Sequence, residues 1–268
     1  IGLKKGQLTC NGNLLIDNLN LKGGILKNKL STKKTNIKCD NKKILLKKSN
    51  WLYGPLNVST FVRIPLNNNR INIDSFSQIN LKDVDHKPLN INASLPILIK
   101  NREALLGDLK ANVDLKSFPL SATNSVLNTS SSGILNANGY IQGPLSGLKS
   151  RIDISLDNPQ FKGMRLREKW TGIFSRMPED GNWGNLKMAS QGASIPGELE
   201  ISLVEGWKFN KLVINRLGGE INLISKAKSF KWDINNFRLD RIEVAIPPEK
   251  SFKRIFGEVQ GKGVFSLN

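Results

Sequence analysis

Ile152-Asp153-Ile154-Ser155-Leu156-Asp157 alternates an aliphatic residue with a polar one at every step. A strand turns successive side chains to opposite faces, so this stretch presents Ile152, Ile154 and Leu156 on one side and polar groups on the other. The same phase recurs in Leu199-Glu200-Ile201-Ser202-Leu203, Ile242-Glu243-Val244-Ala245-Ile246, Leu89-Asn90-Ile91-Asn92-Ala93-Ser94-Leu95 and Ile71-Asn72-Ile73-Asp74. Gly54-Pro55, Gly143-Pro144, Asp180-Gly181, Gly218-Gly219 and Pro247-Pro248 separate such runs with turn residues. Asn and Lys are poor strand formers, but here they hold the solvent phase, where context outweighs propensity. Helical pattern is thin. Residues 119–127 predict one or two turns with Ser121 as N-cap, and residues 164–177 predict a second short helix weakened by Gly172. The expected class is all-β with minor short helices.

Composition narrows the function. The chain has 268 residues, of which 39% are hydrophobic, enough to bury a core. It begins at Ile1 and both ends break off within alternating pattern, which reads as an internal piece of a longer protein. With one histidine, His86, a Ser-His-Asp or Cys-His site has one possible base, and that residue lies in the polar turn Asp83-Val84-Asp85-His86-Lys87-Pro88. Two cysteines, Cys10 and Cys39, exclude a cysteine-rich zinc module. A disulfide between them requires an oxidising compartment; two independent structural thiols are the expectation. The close acidic pairs are Glu179-Asp180 and Glu198/Glu200, the latter on the solvent phase of one strand, with no facing carboxylate in view. Gly133 and Gly139 fall within β pattern, not at a phosphate-binding strand-to-helix turn. The five tryptophans, Trp51, Trp170, Trp183, Trp207 and Trp232, are scattered, as expected of residues that cap the open end of an apolar core. No catalytic residue, metal ligand or cofactor is expected. The longest apolar run, residues 95–99, is far short of the ~20 residues that span a bilayer.

Charge is concentrated at one end. The net charge is +18, and the first 50 residues hold 12 Lys, no Arg and only Asp17 and Asp40. Such a surface suits phosphates, on nucleic acid or on anionic lipid headgroups. It equally follows from a composition with 29 Lys and 31 Asn in which Lys fills solvent positions. The stretch lacks the Arg and interleaved aromatics of a base reader, so sequence-specific nucleic-acid binding is not expected.

The chain also echoes itself. Val113-Asp114-Leu115-Lys116-Ser117-Phe118-Pro119-Leu120 parallels Trp232-Asp233-Ile234-Asn235-Asn236-Phe237-Arg238-Leu239. Each is followed by two glycines six apart, Gly133/Gly139 and Gly257/Gly263. Asp17-Asn18-Leu19-Asn20-Leu21-Lys22-Gly23 parallels Asp157-Asn158-Pro159-Gln160-Phe161-Lys162-Gly163. The two offsets differ, so the repeat is degenerate, with tentative units at residues 1–105, 106–165 and 195–268. Degenerate β repeats predict stacked strands in an elongated body.

Gly133-Ile134-Leu135-Asn136-Ala137-Asn138-Gly139-Tyr140-Ile141-Gln142-Gly143-Pro144-Leu145-Ser146 resembles the strand-turn phrase of the TamB family, the inner-membrane-anchored translocation and assembly module proteins related to AsmA. Gly218-Gly219-Glu220-Ile221-Asn222-Leu223 and Phe256-Gly257-Glu258-Val259-Gln260-Gly261-Lys262-Gly263 are similar to the cyanobacterial and plastid branch of that family. The resemblance covers residues 105–160 and 212–268. It implies a long curved repetitive β-sheet, a β-taco, with an apolar groove along its concave face. It also implies an inner-membrane anchor elsewhere in the parent chain, an Omp85-type outer-membrane barrel as partner, and a place in the periplasm or the plastid intermembrane space. The implied roles are phospholipid passage and outer-membrane protein assembly, without enzymatic activity.

The alternation fits an open groove or a closed sandwich core. In the groove, Ile152, Ile154, Leu156, Leu199, Ile201, Leu203, Ile242, Val244 and Ile246 face phospholipid acyl chains. The alternatives are a closed all-β adhesion module binding protein or glycan, a β-helix carbohydrate enzyme, against which the scattered acids argue, and a salt-sensitive polyanion binder.

Overall fold

The computed structural model describes the chain except residues 1, 5–6, 24–25, 67–69, 101–102, 125–129, 179–182, 193–195, 205–207, 217, 227–228, 241, 247–250 and 267–268. What it describes is strand almost throughout. β1 (Gly2–Lys4) and β2 (Gln7–Thr9) pair with each other. The other twenty strands belong to one antiparallel sheet. They are β3 (Asn11–Gly23), β4 (Leu26–Asp40), β5 (Lys43–Tyr53), β6 (Leu56–Pro65), β7 (Arg70–Leu81), β8 (Leu89–Lys100), β9 (Glu103–Leu106), β10 (Leu109–Pro119), β11 (Ser131–Gly143) and β12 (Lys149–Phe161). There follow β13 (Met164–Leu166), β14 (Trp170–Arg176), β15 (Gly184–Ser190), β16 (Glu198–Val204), β17 (Lys208–Arg216), β18 (Gly219–Lys226), β19 (Ser229–Arg238), β20 (Ile242–Ile246), β21 (Ser251–Arg254) and β22 (Glu258–Ser266).

The helical expectations fare differently. Of the helix expected over residues 119–127, residues 125–127 lie outside the described residues, and a 3-10 turn forms at Leu120–Thr123. Pro119 occupies its N-cap without a side-chain hydrogen bond, so Ser121 lies inside the turn rather than capping it. The helix expected over residues 164–177 does not exist: the segment is β13 and β14. Trp170, Gly172 and Phe174 carry a period of two, and β14 pairs along both edges, with β12 and β15. Two ladders outweigh a short helix already penalised by about 1 kcal/mol for its glycine.

The chain divides into two compact units, residues 1–116 with 139–148, and residues 117–138 with 149–268. In the first, β3 to β8 pair in sequence order, and β8 also pairs with β9 and β10. The β5–β6 hairpin turns on Gly54-Pro55; its first position needs φ > 0, which Gly54 supplies at 56°. One face carries the row Trp51–Val58–Ile79–Leu89. The neighbouring row, Ser49–Thr60–Ser77–Ile91–Val113, interrupts it with hydroxyls, where Thr60 Oγ1 lies 2.8 Å from Ser77 Oγ.

Cys10 and Cys39 form a disulfide with their Cα atoms 5.6 Å apart, against the expectation of separate thiols. The β3–β4 register is the cause: Asn11 lies opposite Asp40, which brings Cys10 beside Cys39. Cross-linking residues 29 apart removes enough freedom from the unfolded chain to stabilise it by about 3–4 kcal/mol. Reductant, or Cys39→Ser, is therefore expected to lower the urea midpoint of the first unit; an unchanged midpoint would count against the bridge.

Both sequence echoes acquire a physical meaning in the backbone. Ser117 (φ 53°) and Asn236 (φ 45°) occupy equivalent places in one echo, and Asn18 (φ 52°) and Asn158 (φ 47°) in the other. All four are left-handed residues inside strands, a conformation that Asn tolerates better than most side chains. At Asn236 the β19–β22 register shifts, so Phe237 rejoins the face of Ile234. Phe118 and Phe237, one residue after Ser117 and Asn236, are both buried. The repeat is thus a repeated strand with a built-in kink.

Candidate functional site

The inner face of the second unit can be followed residue by residue across eight strands. One row is Ile154–Gly172–Met188–Leu199–Ile214–Ile221–Ile234–Gly261. The next is Ile152–Phe174–Leu186–Ile201–Leu212–Leu223–Trp232–Gly263. Neither row contains a polar side chain other than the indole N–H of Trp232. Between them on the opposite face runs Asp153–Ile173–Lys187–Glu200–Val213–Asn222–Asp233–Lys262. There Lys187 Nζ sits 3.5 Å from a Glu200 oxygen. The period of two read from short stretches therefore holds in register over the whole ladder.

This face is not sealed. Ile152, Ile154, Leu156, Leu199, Ile201 and Leu203 are all half-buried, as are Phe174, Leu186, Ile214, Leu223 and Ile234. In a closed core, positions at the centre of eight strands are fully buried. Gly261 and Gly263 shape one end. A Cβ at residue 263 would come within 2.8 Å of the Trp232 ring, so the absence of side chains there makes room for the indole against β22.

The other end is covered. β13 pairs with the end of β12 and with β20, and β20 pairs with β21. This three-stranded flap and the strands beside it form the walls of a half-open cavity of about 450 Å3. Phe161, Met164, Leu166, Leu239 and Ile242 face it from the flap side, and Leu156, Trp170, Met188, Leu199, Ile214, Ile221, Ile234 and Phe237 from the sheet. Arg216 is the one charged residue in the lining. The inner row through Ile152, Leu186 and Ile201 lies outside the cavity, so the apolar floor continues past the covered end.

Ion pairs hold the flap. Glu243 on β20 is buried and accepts from Arg165 Nε at 2.8 Å and Nη2 at 2.5 Å, and from Arg167 Nε at 2.6 Å. Arg216 on β17 donates to Glu168 Oε1 at 2.7 Å and to the Asp240 carbonyl at 3.2 Å. It thereby ties the sheet to both ends of the flap. The Arg165 hydrogen bonds, assisted by Arg167 and opposed by burial, hold the Glu243 carboxyl below its usual range. A lowered pKa in the folded state stabilises at pH values above the ordinary carboxylate range of about 4 and is lost as pH falls through the folded value. Acidification below about pH 4 is expected to loosen the flap, read as a change in tryptophan fluorescence. Glu243→Gln is expected to show the loosened signal already at neutral pH and to lose that pH step; a step of unchanged size would contradict the assignment.

Of the residues expected for a groove, Ile152, Ile154, Leu156, Leu199, Ile201 and Leu203 lie on one ladder of strands, and Ile242 lines the cavity together with Leu156 and Leu199. Val244 lies opposite Met164 on the flap, half-buried and outside the cavity lining. The side chain of Ile246 lies outside the described residues, as do Glu179-Asp180 and Trp207. Trp170, Met188 and Phe237 were not among the expected residues. The segment holding Trp170 carries helical and strand pattern at once, and the bulge before Phe237 breaks the alternation that marks its neighbours.

His86 is part of a turn. Its Nε2 accepts the Leu81 N–H at 2.9 Å, which leaves Nδ1 protonated to donate to the Lys87 carbonyl at 2.8 Å. Glu198 and Glu200 lie on the outer face. No family model matches the chain, and neither a curated protein nor a solved structure matches it.

Proposed function

We propose that this chain is a non-enzymatic segment of an envelope-spanning protein of the TamB type. In this reading it conducts phospholipid between inner and outer membranes, with acyl chains against the inner face of the second unit. The observation that carries this reading is the half-exposed apolar face, continuous over eight strands and backed by a polar face. Leaving so much apolar surface uncovered is costly in water and acceptable where hydrocarbon covers it. The rows carry no charged group and one donor, the Trp232 indole N–H, so they suit tails and not phosphate headgroups. The disulfide supports an oxidising compartment such as a periplasm. An Omp85-type barrel as the receiving partner, and support of outer-membrane protein assembly, follow from the family resemblance. A closed adhesion module would need the same rows covered, and their partial exposure favours the groove reading.

The test is lipid analysis of the chain purified without detergent. Organic extraction followed by mass spectrometry is expected to release phospholipid in at least equimolar amount. A lipid-free chain that stays folded and monodisperse would overturn the reading.

A further inference from the structure

The opposite face of the first unit carries a second feature, independent of the groove. On that face the register places Asn13–Lys38–Leu45–Arg63–Asp74 in one row. Phe61 lies directly opposite Phe76 one row along, each 38% exposed. Leu15, 46% exposed, shares the face through its pairing with Asn36. Lys34, Lys38, Lys47, Lys48 and Arg63 are all exposed, and among the described residues none of them makes an ion pair. The acids on this face are few: Asp17 opposite Lys34, Asp40 opposite Lys43, and, opposite Arg63, Asp74, whose Oδ1 accepts from the Ser94 hydroxyl.

We propose that the outer face of β3 to β7 binds the surface of an anionic bilayer. Exposed phenylalanines on a solvent face are unfavourable in water, yet at a membrane they enter the headgroup boundary while surrounding lysines meet phosphates. Lysine, a compact point charge on a long apolar stem, suits headgroups that require no fixed bidentate geometry. A nucleic-acid surface would favour arginine, and of the five exposed cations named here four are lysine. The row Trp51–Val58–Ile79 lies on the other face of the first unit, so docking here leaves it free.

The test is flotation of the full chain with phosphatidylcholine vesicles, with and without phosphatidylglycerol, beside a fluorescence titration with an RNA duplex. Binding is expected only to the anionic vesicles and is expected to weaken steeply with salt. Replacing Lys34, Lys38, Lys47 and Lys48 with Gln is expected to cost about 100-fold or more in vesicle affinity. Phe61→Ser with Phe76→Ser, at unchanged net charge, is expected to cost about tenfold. Both variants alter exposed positions, and circular dichroism reports their folding. No binding to anionic vesicles, equal binding to neutral ones, or tighter RNA binding that the phenylalanine variant leaves unaltered would each overturn the proposal. Because lipid extraction reads the groove and flotation reads the outer face, either can fail without the other.

Discussion

Arg216→Met is expected to destabilise the second unit by about 3–5 kcal/mol, the cost of removing one partner from a buried ion pair. Arg216 and Glu168 are 5% and 6% exposed, and their 2.7 Å contact joins β17 to the segment between β13 and β14. Without the guanidinium, the buried Glu168 carboxylate loses its Arg216 partner, and the Asp240 carbonyl loses a donor. Urea unfolding followed by tryptophan fluorescence reads the loss. Adding Glu168→Leu is expected to restore most of it, because a buried pair replaced by apolar residues of similar volume is often neutral. A single variant as stable as the parent would show that the flap is not tied down here.

Ile201→Asp separates stability from lipid capture. Ile201 sits mid-floor between Leu186 and Leu212 and is half-buried. On an open face the new carboxylate keeps its water, so the expected cost is about 1–2 kcal/mol, the partial burial of one isoleucine. In a sealed core the same charge would unfold the unit, because an unpaired ion there has no solvation. Acyl chains, by contrast, would have to cross the hydrated carboxylate. Co-purifying phospholipid is expected to fall about tenfold or more, with the circular dichroism spectrum retained. Unfolding of the variant would speak for a closed core.

Much of the fold lay open in the sequence because alternation is a local property. Ile152-Asp153-Ile154 and Leu199-Glu200-Ile201 declare a strand and its two faces without reference to a partner, and each keeps those faces in the structure. The internal echoes were visible too, although their cause, a left-handed residue kinking the strand before a buried phenylalanine, needed the backbone. Long-range pairing was not legible. Arg165 and Glu243 meet across 78 residues, and Arg216 and Glu168 across 48; nothing local in either sequence selects its partner. The Cys10–Cys39 bridge depends on a register that a one-residue slip would undo. The segment around Trp170 reads as helix from sequence because seven residues with a glycine at the third position fit either period. Its pairing on both edges decides the outcome.

The central claim is that the inner face of the second unit is open to lipid, and neighbouring residues on β12 test it most directly. Ile154 points into the apolar row and Asp153 into the polar one, one residue apart on the same strand. A photo-crosslinking amino acid placed at each position in the full chain, irradiated in cells fed labelled phosphate, samples the two faces under identical conditions. Labelled phospholipid captured at 154 and not at 153 is the predicted result. Capture at neither position, with the chain folded, or equal capture at both, would contradict it.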